Sequence, residues 1–508
     1  MSGFHSTVTR RDFMKGLGLV SAGIGGAMAA APAFHDLDEL MSSGVSTRKR
    51  AWWVKEVDEP TVEIDWSLMK RHYNYSTQSA AIVAAYPGLD RYNAEVATGP
   101  SPADRMKANQ PGYRLRDQAL ASANGIGSGA LGDTASDLKF GQKKVQTPEE
   151  RGVPNWTGTP EEATIMIRAA MVFFGAADIG TAAIDEHHMK IIGLTGENPS
   201  ISYYDKQPPT TVTKPIEFSK TNSKFSFDKT TGITYLPNVP LYSITYLIPQ
   251  DSELNRMRPG TLGGVAQTRY RLREVPRACT QGFIQGLGYQ SMLDEPYRAI
   301  PSNAGAVLGG LSENARHSIM SISPEFGAFG GYFDLLTTLP VEHTKPIDAG
   351  IWRFCQSCGL CADLCPSNSI VKKGEGDPSW EVTPSHEAKA HILPWEGIRT
   401  EGEFHKLGRK TYWTDMPQCQ LWVRRNMNGE RCNVCWGNCV FNGANGAMIH
   451  KVVKATASIT PLFNSFFSAM HPTMGYGMKT EEEIERWWHS SLPAYGFDST
   501  VYAKDMGY

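Results

Sequence analysis

Residues 355–366 read Cys355-Gln356-Ser357-Cys358-Gly359-Leu360-Cys361-Ala362-Asp363-Leu364-Cys365-Pro366. This C-x2-C-x2-C-x3-C-P spacing decides how the C-terminal third of the chain has to fold. Three thiolates two residues apart leave one tight loop together and reach three corners of an inorganic core. The fourth, followed by proline, points away toward a second core. Further on, Cys419-x12-Cys432-x2-Cys435-x3-Cys439 keeps the C-x2-C-x3-C part behind a twelve-residue loop. Structural zinc sites pair two C-x2-C knuckles and stop at four ligands. Disulfide frameworks are the habit of small secreted domains. Neither matches this spacing, which is the ligand set for two [4Fe-4S] clusters. The ninth cysteine, Cys279, has no partner spacing and reads as a small buried apolar residue.

The first run resembles the bacterial ferredoxin signature, in which the last cysteine of each run serves the other cluster. That rule assigns Cys355, Cys358, Cys361 and Cys439 to a first cluster. It assigns Cys419, Cys432, Cys435 and Cys365 to a second.

The N-terminus reads as an export signal. Thr9-Arg10-Arg11-Asp12-Phe13-Met14-Lys15 carries a twin arginine, residues 16–31 are weakly apolar, and Ala31-Pro32-Ala33 offers a cleavage site. Twin-arginine transport moves folded proteins, so clusters can be inserted before export. The 508 residues hold 50 basic and 52 acidic side chains. That balance argues against nucleic acid as a partner. No later stretch of eighteen apolar residues is present, so a membrane span in the mature chain is not expected.

With 41% hydrophobic content the chain can bury a large core in two or three units. Thr159-Pro160-Glu161-Glu162 opens a helix with a capping box, which runs through Phe173 and stops at Gly175. Strands are expected at 179–184 and 241–248. A helical pattern over 261–287 should break at Pro276. Alternating helices and strands suggest an α/β layered fold. Gly125-Ile126-Gly127-Ser128-Gly129-Ala130 matches a dinucleotide fingerprint on paper, but no apolar strand precedes it, so a flexible loop is expected. The division read from the sequence is a signal at 1–33, an N-terminal region at 34–158, a large domain at 159–345, a cysteine-rich domain at 346–450 and a tail at 451–508 packing on the core. Clusters move single electrons, so the large domain should hold the acceptor chemistry.

In order along the chain stand Gly175-Ala176-Ala177-Asp178-Ile179-Gly180, Gly286-Leu287-Gly288-Tyr289, Ala299-Ile300-Pro301-Ser302-Asn303, Ser323-Pro324-Glu325-Phe326-Gly327 and Lys345-Pro346-Ile347-Asp348. With the twin-arginine start and both cysteine runs, they resemble the catalytic subunit of respiratory reductive dehalogenases. The resemblance implies a nitroreductase-like α/β core that binds a corrinoid base-off, beside a ferredoxin-like domain with two [4Fe-4S] clusters. It implies replacement of a carbon-bound halogen, chlorine first, by hydrogen on a small haloalkene or haloarene. It also implies a small integral membrane anchor protein, an electron donor chain, and a place on the outer face of the cytoplasmic membrane.

By the same resemblance Tyr270, eighteen residues before Gly288, is the proton donor, and Asn303 is its companion, with Ala304 one register away. Trp422 matches a tryptophan of the substrate and corrinoid pocket. The family arginine is absent, because position 331 is Gly. Arg316, Arg271 and Lys345 are the substitutes on offer, and the sequence does not choose among them. Val440 replaces the proline that usually follows the last cysteine. The D-x-H-x-x-G motif of corrinoid modules is also missing. Asp185-Glu186-His187-His188-Met189-Lys190 begins like it, but the histidines read as surface or packing residues. Two other readings share features: an epoxyqueuosine-reductase-like corrinoid enzyme acting on tRNA, and a non-catalytic iron–sulfur electron-transfer subunit. The export signal and the charge balance oppose the first, and the large upstream domain opposes the second.

Overall fold

The apolar run expected at 241–248 becomes a strand buried at all but its first residue. The computed structural model describes residues 50–71, 89–127, 145–195, 215–257, 259–264, 268–293, 300–380, 407–427, 432–443 and 448–489. The export signal therefore lies outside the described residues. Four strands form the central sheet: β1 (Asp178–Ala183), β2 (Tyr242–Pro249), β3 (Ser291–Leu293) and β4 (Gly330–Thr337). Their order is β1-β2-β4-β3, and every pairing is antiparallel. Both expected strands are present. β3 and β4 escape a reading of the sequence. β4 is buried along its whole length, so it shows no polar–apolar alternation, and it begins with two glycines.

Helices cover both faces of the sheet. On one face Ile244, Tyr246, Ile248, Phe333 and Leu335 pack under α1 (Pro160–Phe173), the short helix α2 (Arg269–Leu272) and α3 (Glu274–Gly286). Each aliphatic side chain withdrawn there contributes about 1.5–3 kcal/mol. The N-terminus of α1 is the expected one: the Thr159 side chain accepts from Glu162 N, and Glu162 reaches back to Thr159 N. On the other face lies α4 (Ser302–Leu308). It sits so close that a Cβ on Gly305 would run into the Thr245 and Asp334 side chains, which are hydrogen-bonded to each other.

Three expectations need correction. Pro276 does not break the helix. It is the third residue of α3, where its missing N–H falls among amides that have no partner inside the helix, and the break comes earlier, at Arg273. Cys279 is exposed, not buried: Arg277, Thr280, Gln281 and Ile284 take the inner face of α3, and Cys279 points outward. Gly125 and Gly127 end the helix Leu115–Gly127 and do not form a loop, while residues 128–130 lie outside the described residues.

The cysteine-bearing part adds α5 (Ile351–Cys358), α6 (Met416–Met427) and α7 (Val434–Gly437), followed by α8 (Met448–Ile459) and α9 (Asn464–Met470), which pack on α5. Leu247 and Tyr332 of the sheet share one apolar core with Trp352, Phe354, Trp436, Phe441 and Val453. Cys355, Cys358, Cys435 and Cys439 belong to that same core. Among the described residues no helix is long and apolar enough to cross a membrane.

Candidate functional site

A cavity of about 330 Å³ lies where the sheet meets the cysteine-bearing helices. Tyr270 enters it from α2, with its ring edge-on to Phe333 of β4 (5.8 Å, 68°). Arg269 lies beside it. Its Nη2 donates to Tyr270 Oη at 3.1 Å, and its guanidinium carbon stands 4.8 Å from the Tyr270 ring centre. A cation donating to a phenol oxygen favours the phenolate and so eases loss of the proton. The Arg269 side chain is buried, and its path crosses Gly331: a Cβ there would stand 2.5 Å from Arg269 Cδ and 2.7 Å from Arg269 Cβ.

This relationship corrects the expectation about the missing arginine. Arg316 is committed to backbone carbonyls of the cysteine segment, and Lys345 pairs with Asp58 at the surface. Neither of these nor Arg271 lines the cavity, whereas Arg269 does. Glycine at 331 leaves the room that Arg269 fills.

Asn303 reaches the cavity from the first turn of α4. Its Nδ2 donates to Ile319 O (2.9 Å), and its Oδ1 accepts from Ser321 N (3.4 Å), which fixes the amide's orientation. Ala304 instead packs into an apolar cluster away from the cavity, so the register favours Asn303. Trp422, one turn after Cys419 on α6, lines the cavity and rests on the cluster of Val423, Met427 and Cys432.

Cys365, Cys419, Cys432 and Cys435 also line the cavity. Cys435 sits in the field of Cys361, Cys365, Cys419 and Cys432, and Cys361 in that of Cys355, Cys358 and Cys439. The eight thiols thus gather into two adjoining sets, with only the second at the cavity. Burial pushes the Cys355 thiol up to about 12, and Cys361 and Cys435 well above their ordinary value. Such thiols ionise only beside strong positive charge, as a metal core provides. Among the described residues no three His, Cys, Asp or Glu side chains close on one point as a single-ion site requires. The donor set suits two clusters. For a larger organic group in the cavity, Trp436 Nε1 and Asn433 Nδ2 are buried donors on its wall without an acceptor among the described residues.

One loop after α4 holds α5 at both ends. Glu313 accepts from Ala349 N (2.7 Å), Ile351 N (3.0 Å) and Thr61 Oγ1 (2.6 Å). Arg316 donates to Cys355 O, Gln356 O and Val371 O, each at 3.0 Å. These roles leave no mark in the sequence, because every partner is distant along the chain. The signal for Arg269 was its adjacency to Tyr270.

The histidine pair belongs to ordinary packing. Asp185 caps the helix Glu186–Ile191 and accepts from His187 N and His188 N, while His187 stacks on Trp66 at 4.9 Å.

Residues 49–341 match the family model for the reductive dehalogenase subunit. The chloroethene reductive dehalogenase of Dehalococcoides mccartyi (strain VS) is 29% identical, over 98% of this chain and 99% of that protein. The trichloroethene reductive dehalogenase of another strain of that species is 28% identical with the same coverage. Among solved structures, the N-terminally tagged catabolic reductive dehalogenase NpRdhA has the same fold, with a TM-score of 0.54 and 17% identity over 90% of this chain. The present chain spans about half of that one, 54% of its length.

Proposed function

The chain belongs to the reductive dehalogenase family, and on that premise we propose that it is a catalytic subunit replacing a carbon-bound halogen by hydrogen. In balance, R–X with two electrons and one proton gives R–H and halide. One observation carries the reading: a single cavity holds Tyr270 and Asn303 opposite Cys365, Cys419, Cys432 and Cys435. B12-dependent dehalogenation is the subject of one solved structure of this fold. A base-off corrinoid held in this cavity would supply low-valent cobalt able to break the carbon–halogen bond. The buried donors of Trp436 and Asn433 would hold its polar rim.

The chain's own residues do the rest. Cys355, Cys358, Cys361 and Cys439 would hold an outer [4Fe-4S] cluster. Cys365, Cys419, Cys432 and Cys435 would hold an inner one against the cavity, and the pair would supply single electrons there. Tyr270 Oη gives its proton to the carbon that loses halide, and Arg269 stabilises the phenolate left behind. Asn303 and Trp422 orient a flat, neutral substrate by shape and dispersion. Two of the relatives act on chloroethenes, so a small chlorinated ethene is the first choice of substrate.

In this reading residues 159–345 are the nitroreductase-like corrinoid core and 346–450 the ferredoxin-like domain. Residues 34–158 precede the core, and of the tail at 451–508 the described part, 451–489, packs on it. The twin-arginine segment at 1–33 directs export to the outer face of the cytoplasmic membrane. There a small integral membrane protein anchors the enzyme and an electron donor chain supplies it.

The test is halide release from chlorinated ethenes, benzenes and phenols with reduced viologen, alongside metal analysis. About eight irons and one cobalt per chain are expected. Protein with iron but no cobalt, and no halide released from any substrate, leaves an electron-transfer subunit instead.

A further inference from the structure

Arg316 is a fully buried cation with no carboxylate partner among the described residues. Its side chain is 2% exposed. Three of its N–H groups go to the backbone carbonyls of Cys355, Gln356 and Val371, and its guanidinium carbon lies 3.9 Å from the Tyr412 ring centre. Carbonyls and a ring face satisfy hydrogen bonds but leave the net charge uncompensated. A buried charge in that state is costly unless an anion lies close by.

Its N–H groups reach the carbonyls of Cys355 and Gln356, inside the segment that carries Cys355, Cys358 and Cys361. Arg316 favours the thiolate forms of Cys355, Cys358 and Cys361. Lys454, whose Nζ donates to Pro324 O, acts likewise on Cys439. Around Cys435, in the set at the cavity, the strongest influences are burial and neighbouring thiols. Arg316 and Lys454 thus place buried positive charge at the outer set.

We propose that Arg316 is the built-in counter-charge of the cluster held by Cys355, Cys358, Cys361 and Cys439, and raises that cluster's reduction potential. The inference rests on the iron–sulfur reading above. Four thiolates on a cubane carry net negative charge that grows by one on reduction, so a fixed cation a few ångströms away favours the reduced form. The outer cluster then accepts an electron readily from a donor.

The experiment uses the full, cluster-loaded enzyme with Arg316→Gln and Arg316→Lys. Iron content is measured, and each cluster's midpoint is followed by redox titration with electron paramagnetic resonance. The outer cluster's signal is the one lost in Cys358→Ser. Arg316→Gln should disfavour reduction of the outer cluster about tenfold, a fall of about 59 mV for a one-electron couple. The inner cluster should move much less, and Arg316→Lys should stay near the unmodified enzyme. Full iron with an unchanged midpoint in Arg316→Gln overturns the proposal. If Arg316→Gln loses the outer cluster, the lysine variant decides: iron retained supports a need for charge, and iron lost equally means that only the hydrogen-bonding fork matters. Absence of iron from these four cysteines in the unmodified enzyme removes the premise and the proposal together.

Discussion

Glu313 and Arg316, three residues apart in one loop, grip opposite ends of α5: Glu313 takes its first amides and Arg316 its last carbonyls. A negative group at the start and a positive one at the end both match the helix dipole. The same loop continues to Ile319, Met320 and Ser321, which line the cavity or orient Asn303. Removing the carboxylate leaves buried amides without an acceptor. Glu313→Ala should cost about 3 kcal/mol in chemical denaturation and lower the iron content. Unchanged stability would refute the clamp.

Tyr270→Phe removes the transferable proton and keeps the ring against Phe333. Turnover should fall about 10²- to 10⁴-fold, with iron and cobalt content unaltered. A fully active Phe variant excludes Tyr270 as the donor.

Arg269 and Gly331 compete for one volume. Gly331→Arg alone should misfold or lose activity, because the new side chain overlaps Arg269. The double variant Arg269→Gly with Gly331→Arg should regain part of the halide release, since the cation then reaches Tyr270 from β4. No gain over the single variants would show that the approach from α2 is essential.

His317 makes stability depend on pH. It is fully buried, its Nδ1 accepts from Ile319 N at 3.3 Å, and burial pushes it down to about 4. The unfolded chain takes up this proton near pH 6.5. The folded protein resists it until about pH 4, so the contribution is complete above about 6.5 and is lost as pH falls from there toward 4. His317→Asn keeps an acceptor for the turn and removes the titration. Between pH 7.5 and 5.5 it should lose about 1.4 kcal/mol less stability than the unmodified protein. Parallel pH profiles would exclude the assignment.

Gly305 is where α4 touches the sheet, over Thr245 and Asp334. Gly305→Val should lift α4, cost about 1–3 kcal/mol in thermal or urea unfolding and displace Asn303. If stability and activity are both retained, α4 does not depend on this contact.

Local features were legible before the fold. The two cysteine runs, the capping box at Thr159 and the strand expected over 241–248 rest on spacing within short stretches of chain. β4 was hidden because neighbours bury both of its faces and the usual alternation never appears. Pro276 misled because its effect depends on its place in the helix: in the first turn it removes an amide that has no helical partner anyway. Tyr270 and Asn303 came from position alone, and the structure places both on one cavity.

By itself the sequence determined the chemistry of the ligands, since thiol spacing along a loop is a covalent property of the chain. Only the tertiary structure decided which cation meets which group. Arg269 lies beside Tyr270 because β4 passes beneath it with a glycine, and Arg316 meets the outer thiols because its loop folds onto α5. Charge acts through space and exclusion of water, and neither distance nor burial can be read from order along a chain.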